Sequence, residues 1–241
     1  GYAESNPSSD LNGDDVSSKL KILSSLCFNS FLNNNIYVEG IKNIDKVDIN
    51  NANILGYKIK LLGYAENLDN KIYQRVHPTL IKKNSYVAGI DGVLNAVIVE
   101  GKPIGNNIIQ GEGAGPSATT SALVSDISSI LRGNIKFPFS LSSKERKNLI
   151  FDNINNRFFS AYLRFEVKDK PGVLSDITNI FSKNKVSIKR LVQNPYKNKR
   201  ISSIIIISHE SKDKSLRKIL KAVSKKQYVK SKPKLIRIDD N

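Results

Sequence analysis

Asp15 and Lys19 stand four residues apart in "DDVSSKLKIL", so a helix over this stretch sets a carboxylate beside an ammonium one turn on. Glu4, Asp10 and Asp14 share the same opening segment, "GYAESNPSSDLNGDDVSSK", which gathers four carboxylates around one lysine. At 3.6 residues per turn, Val16, Leu20, Leu23 and Cys27 form an apolar stripe, with Ser17, Lys21, Ser24 and Ser25 on the far side. Asp15, Lys19, Ile22 and Leu26 fall at the edge of that stripe, so Lys19 is expected to face inward, where a merely decorative lysine is unusual. An ammonium so placed is partly desolvated, which lowers its pKa from the ordinary ~10.4, while the neighbouring carboxylate opposes the shift. A plain interfacial salt bridge is the competing explanation. Asp10 suits a cap or turn as well as a polar network, and Tyr2 either lines a site or packs.

A second stretch with chemical character is "GEGAGPSATTSALVSDISSILRG". Gly111, Gly113 and Gly115 permit close backbone approach, Pro116 suits the first turn of a helix, and Arg132 and Gly133 close it. A glycine-rich turn before a helix can receive a phosphate or carboxylate on free N–H groups. With neither a Walker lysine nor G-x-G-x-x-G spacing, a structural turn fits equally well. His77 and His209 each lie beside a strand, with no partners at diagnostic spacing, and read as structural. The single cysteine, Cys27, excludes an internal disulfide and offers no zinc cluster, so no metal site is expected.

The elements that must hold these residues follow from periodicity and punctuation. A helix over 14–28 follows the Asn12-Gly13 turn, and a shorter one near 49–55 stops at Gly56. "YKIKLLGYAE" and "IYQRVHPTLI" read as a hairpin across "NLDNK", and "LNAVIVEG" with "IGNNIIQG" as another around Lys102 and Pro103. Strands and helices without regular βαβ alternation predict an α+β fold with a mixed sheet. Residues 134–157 lose all period and read as a linker or docking segment. From 158 to 241 the order becomes β-α-β-β-α-β, the ferredoxin-like arrangement. The domains expected are therefore 1–133 and 158–241.

The 241 residues include 38 Lys and Arg against 22 Asp and Glu, a net charge of +16. That excess is spread through Lys-, Asn- and Ile-rich sequence and not set in one stripe with interleaved aromatics, which argues for a solvated basic surface over a nucleic-acid partner. No run approaches the ~20 apolar residues of a membrane span, so no membrane partner is expected and a cytoplasmic location is the default. The chain holds no methionine, and its dense polar opening suggests entry partway into a longer protein.

The opening segment resembles the signature of homoserine dehydrogenases, in which G-Y/F-[small]-E, N/D-P, D-L/V-x-G and D-x-x-x-K follow at these spacings. "LGYKIKLLGYA", "RVHPTLI", "DGVLNAVIVEG" and "GEGAG" resemble later blocks of that family in the same order, and "VKDKPGVLSDITNIFSKNKVSIKRLVQ" with "IIIISHE" is similar to its C-terminal ACT regulatory domain. The likeness covers nearly the whole chain except 134–157. It implies NAD(P)-dependent interconversion of L-aspartate 4-semialdehyde and L-homoserine, in threonine, methionine and isoleucine biosynthesis. It also implies an upstream Rossmann-like domain, outside this sequence, that holds NADP or NAD, a second catalytic lysine and a possible monovalent cation site; the sequence in hand would then be inactive by itself.

By the same resemblance Lys19 is the catalytic proton donor and acceptor, Glu4 and Asp15 bind the substrate, and Glu112 and Gly113 approach the cofactor. Asp169 and Gly172, with Gln193 across a dimer interface, are implied to hold a threonine effector, although the ACT region can equally serve only to pair chains. A homodimer or homotetramer is implied. The rival from another class is a non-catalytic sensor that binds homoserine or threonine.

Overall fold

The structure, a computed structural model, describes residues 6–32, 36–134, 142, 144–196 and 200–239. Helix α1 (Ser8–Asn12) ends at Gly13, whose φ of 85° lets the chain turn at once into α2 (Asp14–Phe28), the helix expected over those residues. Helix α3 (Lys46–Ile54) follows the short strand β1 (Tyr37–Val38) and starts at a reciprocal cap: Asp45 accepts from the Asp48 N–H, and Asp48 from the Asp45 N–H.

Strands β2 (Tyr57–Leu68) and β3 (Lys71–Lys82) pair over their full length. Asp69 and Asn70, both at positive φ (51° and 61°), make the two-residue turn whose twist matches the flanking strands. The other edge of β3 is shared end to end by three short partners, all parallel to it. These are β6 (Ile150–Phe151) at Lys71 and Ile72, β1 at Arg75 and Val76, and β11 (Lys234–Asp239) at Thr79 to Ile81. The aperiodic stretch 134–157 thus returns to the sheet through β6.

Strand β11 carries the sheet onward. Its second edge pairs antiparallel with β7 (Phe158–Lys168), whose start also pairs with the two-residue β10 (Ser211–Lys212), and the order continues to β9 (Ile201–Ser208) and β8 (Ile188–Pro195). Helices α5 (Val173–Lys183) and α6 (Asp213–Ser224) cover one face, where Val173, Ile177, Phe181, Leu216, Ile219 and Val223 meet Leu163, Phe165, Ile204 and Ile206. The opposite face is closed by Ala52 of α3 with Leu80 of β3, against Tyr162, Ile205, Ile207, Ile236 and Ile238. The C-terminal β-α-β-β-α-β unit therefore has one face covered by its own helices and the other by the N-terminal half. Mixed sheet and flanking helices make this the α+β fold that the sequence pattern predicted.

Two buried arginines tie the halves together. Arg164 of β7 donates to Asp48 (Nε to Oδ1, 2.6 Å), Asp45 (2.6 Å) and Glu166 (2.7 Å). Arg237 of β11 donates to Asp213 (2.8 Å) and to Glu39 (3.0 Å). Burial opposes each guanidinium's charge, yet hydrogen bonding and Coulombic attraction from Asp48 and Asp45 around Arg164, and mainly Coulombic attraction from Tyr37, Asp213 and Glu39 around Arg237, push both pKa values up. His77 is buried in the same sheet. Burial, reinforced by Arg75 and Arg237, holds its pKa well below the ordinary imidazole value, so it is a neutral part of the core.

Hairpin β4 (Leu94–Gly101) and β5 (Gly105–Glu112) forms a separate two-stranded sheet, and α4 (Pro116–Leu131) follows it. Neither element is covered. Ile98, Ile104, Ile108 and Ile109 on the hairpin, and Leu123, Val124, Ile127, Ile130 and Leu131 on the helix, are all exposed.

Candidate active site

The face that α2 buries is not the one its apolar spacing suggests. Ser17, Leu20, Ser24 and Ser25 are buried, while Cys27 is exposed. Small hydroxyl residues allow this. Ser24 and Ser25 turn their hydroxyls back onto the carbonyls of Leu20 and Lys21, and the helix settles closely on β2. Gly63 of β2 makes room for it, since a Cβ there would come within 3.0 Å of Val16 Cγ1. From β3, Gln74 Nε2 donates to Ser24 Oγ at 2.9 Å and fixes the helix rotation.

That rotation turns Asp15, Lys19, Ile22 and Leu26 outward. The expectation of an inward, partly desolvated Lys19 is overturned: its side chain is 57% exposed, and its Nζ lies 2.8 Å from Asp15 Oδ2. The reason is that the serines, and not the apolar stripe alone, decide which side of α2 meets the sheet. The outward face is still unusual, because Ile22 (53% exposed) and Leu26 (43%) flank the ion pair. An ammonium held by a carboxylate on an apolar strip can become a desolvated proton donor once another surface closes over it.

Glu4 and Tyr2 lie outside the described residues. Asp10 is exposed in the first turn of α1 and caps nothing through its side chain. At the end of β5, Glu112 is exposed, and Gly113 sits so close to β4 that an added Cβ would lie 1.7 Å from Asn95 Nδ2. The close approach that this glycine permits within the chain is therefore to Asn95. Beyond it, α4 opens with Pro116 after Gly115 (φ 114°), leaving exposed first-turn N–H groups of the kind that face an anion or an amide. Among the described residues no cluster of three or more His, Cys, Asp or Glu side chains is arranged to hold a metal ion, and no helix is long and apolar enough to cross a membrane.

Asp169, Gly172 and Gln193 do come together. They line one cleft of about 410 Å³ with Lys168, Lys170 and Ile204. Gly172 (φ 87°) starts α5, and Gln193 Nε2 donates to Asp169 Oδ1 at 3.3 Å. β8 and the β7–α5 turn lie at the same end of the sheet, which brings Gln193 beside Asp169 within one chain.

With these positions established, comparison with known proteins is decisive. The family described as homoserine dehydrogenase matches residues 1–128, more than half of the chain. The chain belongs to the homoserine dehydrogenase family. An ACT domain matches residues 161–226. The homoserine dehydrogenase of Helicobacter pylori is 35% identical across 100% of this chain and 57% of its own length. That of Neisseria gonorrhoeae is 34% identical across 99% and 57%. Among solved structures, a homoserine dehydrogenase from Thiobacillus denitrificans superposes with a TM-score of 0.87 at 33% identity, over 99% of this chain and 56% of that one. The Staphylococcus aureus homoserine dehydrogenase at pH 7.0 gives a TM-score of 0.66 at 29% identity. The chain thus spans somewhat over half the length of the homoserine dehydrogenases it matches.

The buried charges escaped the sequence reading. Arg164 and Arg237 do leave a signal, each a charged residue flanked on both sides by apolar ones in a strand, in "YLRFEV" and "KLIRID", where charge is rarely tolerated without a partner.

Proposed function

We propose that the chain forms the substrate side and regulatory part of an NAD(P)-dependent homoserine dehydrogenase. The observation that carries this reading is the Asp15–Lys19 pair, 2.8 Å apart on an exposed apolar strip of α2, within a stretch that matches the family. Interconverting L-aspartate 4-semialdehyde and L-homoserine changes an aldehyde into an alcohol. The nicotinamide, when bound, supplies or accepts the hydride. The oxygen left by hydride delivery needs a proton, and Lys19 Nζ is the group placed to give it and to take it back in reverse. Asp15 holds that ammonium in position and, with Glu4, offers negative charge to the substrate's own ammonium. Glu112 and Gly113 form the wall nearest the cofactor, and the dinucleotide itself needs a binding surface beyond 1–241. The uncovered apolar residues of α4 and the β4–β5 hairpin fit contacts with such a surface and with a second copy of the chain.

The test is turnover by the whole protein of which residues 1–241 are part. L-homoserine with NAD or NADP should yield the reduced nucleotide and an aldehyde trapped by a hydrazine. L-homoserine that binds without nucleotide reduction by either cofactor would favour a non-catalytic sensor.

The cleft at Asp169, Gly172 and Gln193 is proposed to take threonine. Because the N-terminal half covers one face of its sheet, the measurement belongs on the whole protein. Millimolar L-threonine is expected to raise the melting temperature by a few degrees, and Asp169→Ala or Gln193→Ala should abolish the rise. An unchanged melting temperature would leave chain pairing as the role of this unit.

A further inference from the structure

Read along the chain, the basic residues form no stripe, but folding makes one. Residues 158–241 hold 21 Lys and Arg against 7 Asp and Glu, whereas 1–157 hold 17 against 15. Nearly all of the positive excess therefore sits on the C-terminal unit, an asymmetry that points to a polyanionic partner. On helix α6, Lys214, Lys218, Lys221 and Lys225 follow at spacings of four, three and four residues, and all are exposed. At about 100° per residue they fall within roughly 60° of arc, and at ~1.5 Å rise the row is about 16 Å long.

No acid interrupts the row. Among the described residues none of the four lysines makes an ion pair. The acids of α5 and α6 are already engaged: Asp213 is wholly buried and accepts from Arg237 and Arg217, and Asp176 is held by Lys226 at 2.8 Å. The row is also held firmly, because Leu216, Ile219 and Val223 on the opposite side of α6 are wholly buried. Its surroundings select among polyanions. A membrane-surface helix sets bulky apolar residues beside its lysines, whereas every exposed large apolar side chain among the described residues lies at or before Phe158. Single strands are held by stacking on aromatic rings, and α6 carries none. Lysines take phosphates as point charges, which positions a nucleic-acid backbone without reading its bases.

We propose that the lysine row of α6 binds the phosphate backbone of double-stranded nucleic acid, independently of sequence. A row of this length exceeds a single phosphate and calls for charge repeated along a stiff partner. It shares no residue with the Asp15–Lys19 pair or with the cleft at Asp169.

Fluorescence anisotropy of a labelled mixed-sequence DNA duplex, titrated with the whole protein, tests this. The Kd should lie at ~10⁻⁶–10⁻⁴ M in physiological salt, and the log–log salt dependence of the binding constant should have a slope of about −3.6, or ~0.9 for each of four phosphates. Changing Lys214, Lys218, Lys221 and Lys225 together to Gln should flatten that slope by about 3 and weaken binding at least ~30-fold at ~0.05 M salt. A control that changes Lys189, Arg190, Lys230 and Lys232 to Gln removes the same charge away from α6, and should cost less than about fivefold. Three outcomes would overturn the site: no saturable binding at ~0.05 M salt; equal losses in the two variants, which would leave net charge as the cause; or displacement of the duplex by a smaller amount of charge on poly-L-glutamate, or on vesicles of equimolar phosphatidylserine and phosphatidylcholine, which would assign the row to an acidic protein or a membrane.

Discussion

Lys19→Ala in the whole enzyme is expected to lower turnover by ~10²–10⁴-fold, the usual contribution of a positioned general acid and base. The fold should hardly notice. Lys19 is exposed, and among the described residues its ion pair is the i,i+4 contact with Asp15, a type that contributes ~0.3–0.5 kcal/mol. This separation makes the result diagnostic, because a lysine that only helps to dock another domain would lose binding or stability together with rate. The loss should fall on kcat with little change in KM for homoserine, since the proton moves in the transition state and the ground-state contact to the substrate ammonium belongs to Asp15 and Glu4. Asp15→Asn keeps a polar side chain at the same place but removes the charge, and should raise KM as well as lower kcat. A Lys19→Ala enzyme with near-normal turnover would remove this residue from the reaction.

What the sequence disclosed, and what it withheld, divides along physical lines. Helix α2, both hairpins, α4 and the C-terminal β-α-β-β-α-β unit were legible because each is bounded by local signals: Gly13, the Asp69-Asn70 turn, Pro116, Gly172. The short strands β1 and β6 were not, because two-residue strands carry no period and exist only where the edge of β3 receives them. The rotation of α2 was misread for a related reason. A helical wheel weighs Val16, Leu23 and Cys27 against serines by hydrophobicity, but Val16 and Leu20 meet β2 at Gly63 while Ser24 and Ser25, their hydroxyls satisfied by helix carbonyls, are buried as well. The candidate site survives that misreading, because the spacing of Asp15 and Lys19 sets their contact whichever way the helix faces. Asp169, Gly172 and Gln193 were brought together by resemblance, and their convergence depends on register between β8 and β9 that no local pattern states.

Asp48→Ala should destabilise the protein by about 3 kcal/mol, near the lower end of the ~3–5 kcal/mol typical of breaking a buried pair. Asp48 is wholly buried on α3 and accepts from Arg164 Nε at 2.6 Å, Arg164 Nη2 at 3.1 Å and the Tyr162 hydroxyl at 3.1 Å. Removing it leaves a guanidinium whose side chain is 2% exposed without its central counter-ion, while Asp45 and Glu166 still hold the rim, which is why the cost stays low in the range. The capping box of α3 loses its second half at the same time, since the Asp45 N–H no longer finds the Asp48 carboxylate. In a chain of this size the midpoint of thermal unfolding should fall by roughly 6–12 °C. Adding Arg164→Met to Asp48→Ala separates charge from packing: replacing a buried pair by apolar groups is often neutral or stabilising, so the double variant should recover most of the loss. A double variant no more stable than Asp48→Ala would mean that α3 is held against the C-terminal sheet by Ala52 and the apolar contacts around it, with the ion pair contributing little.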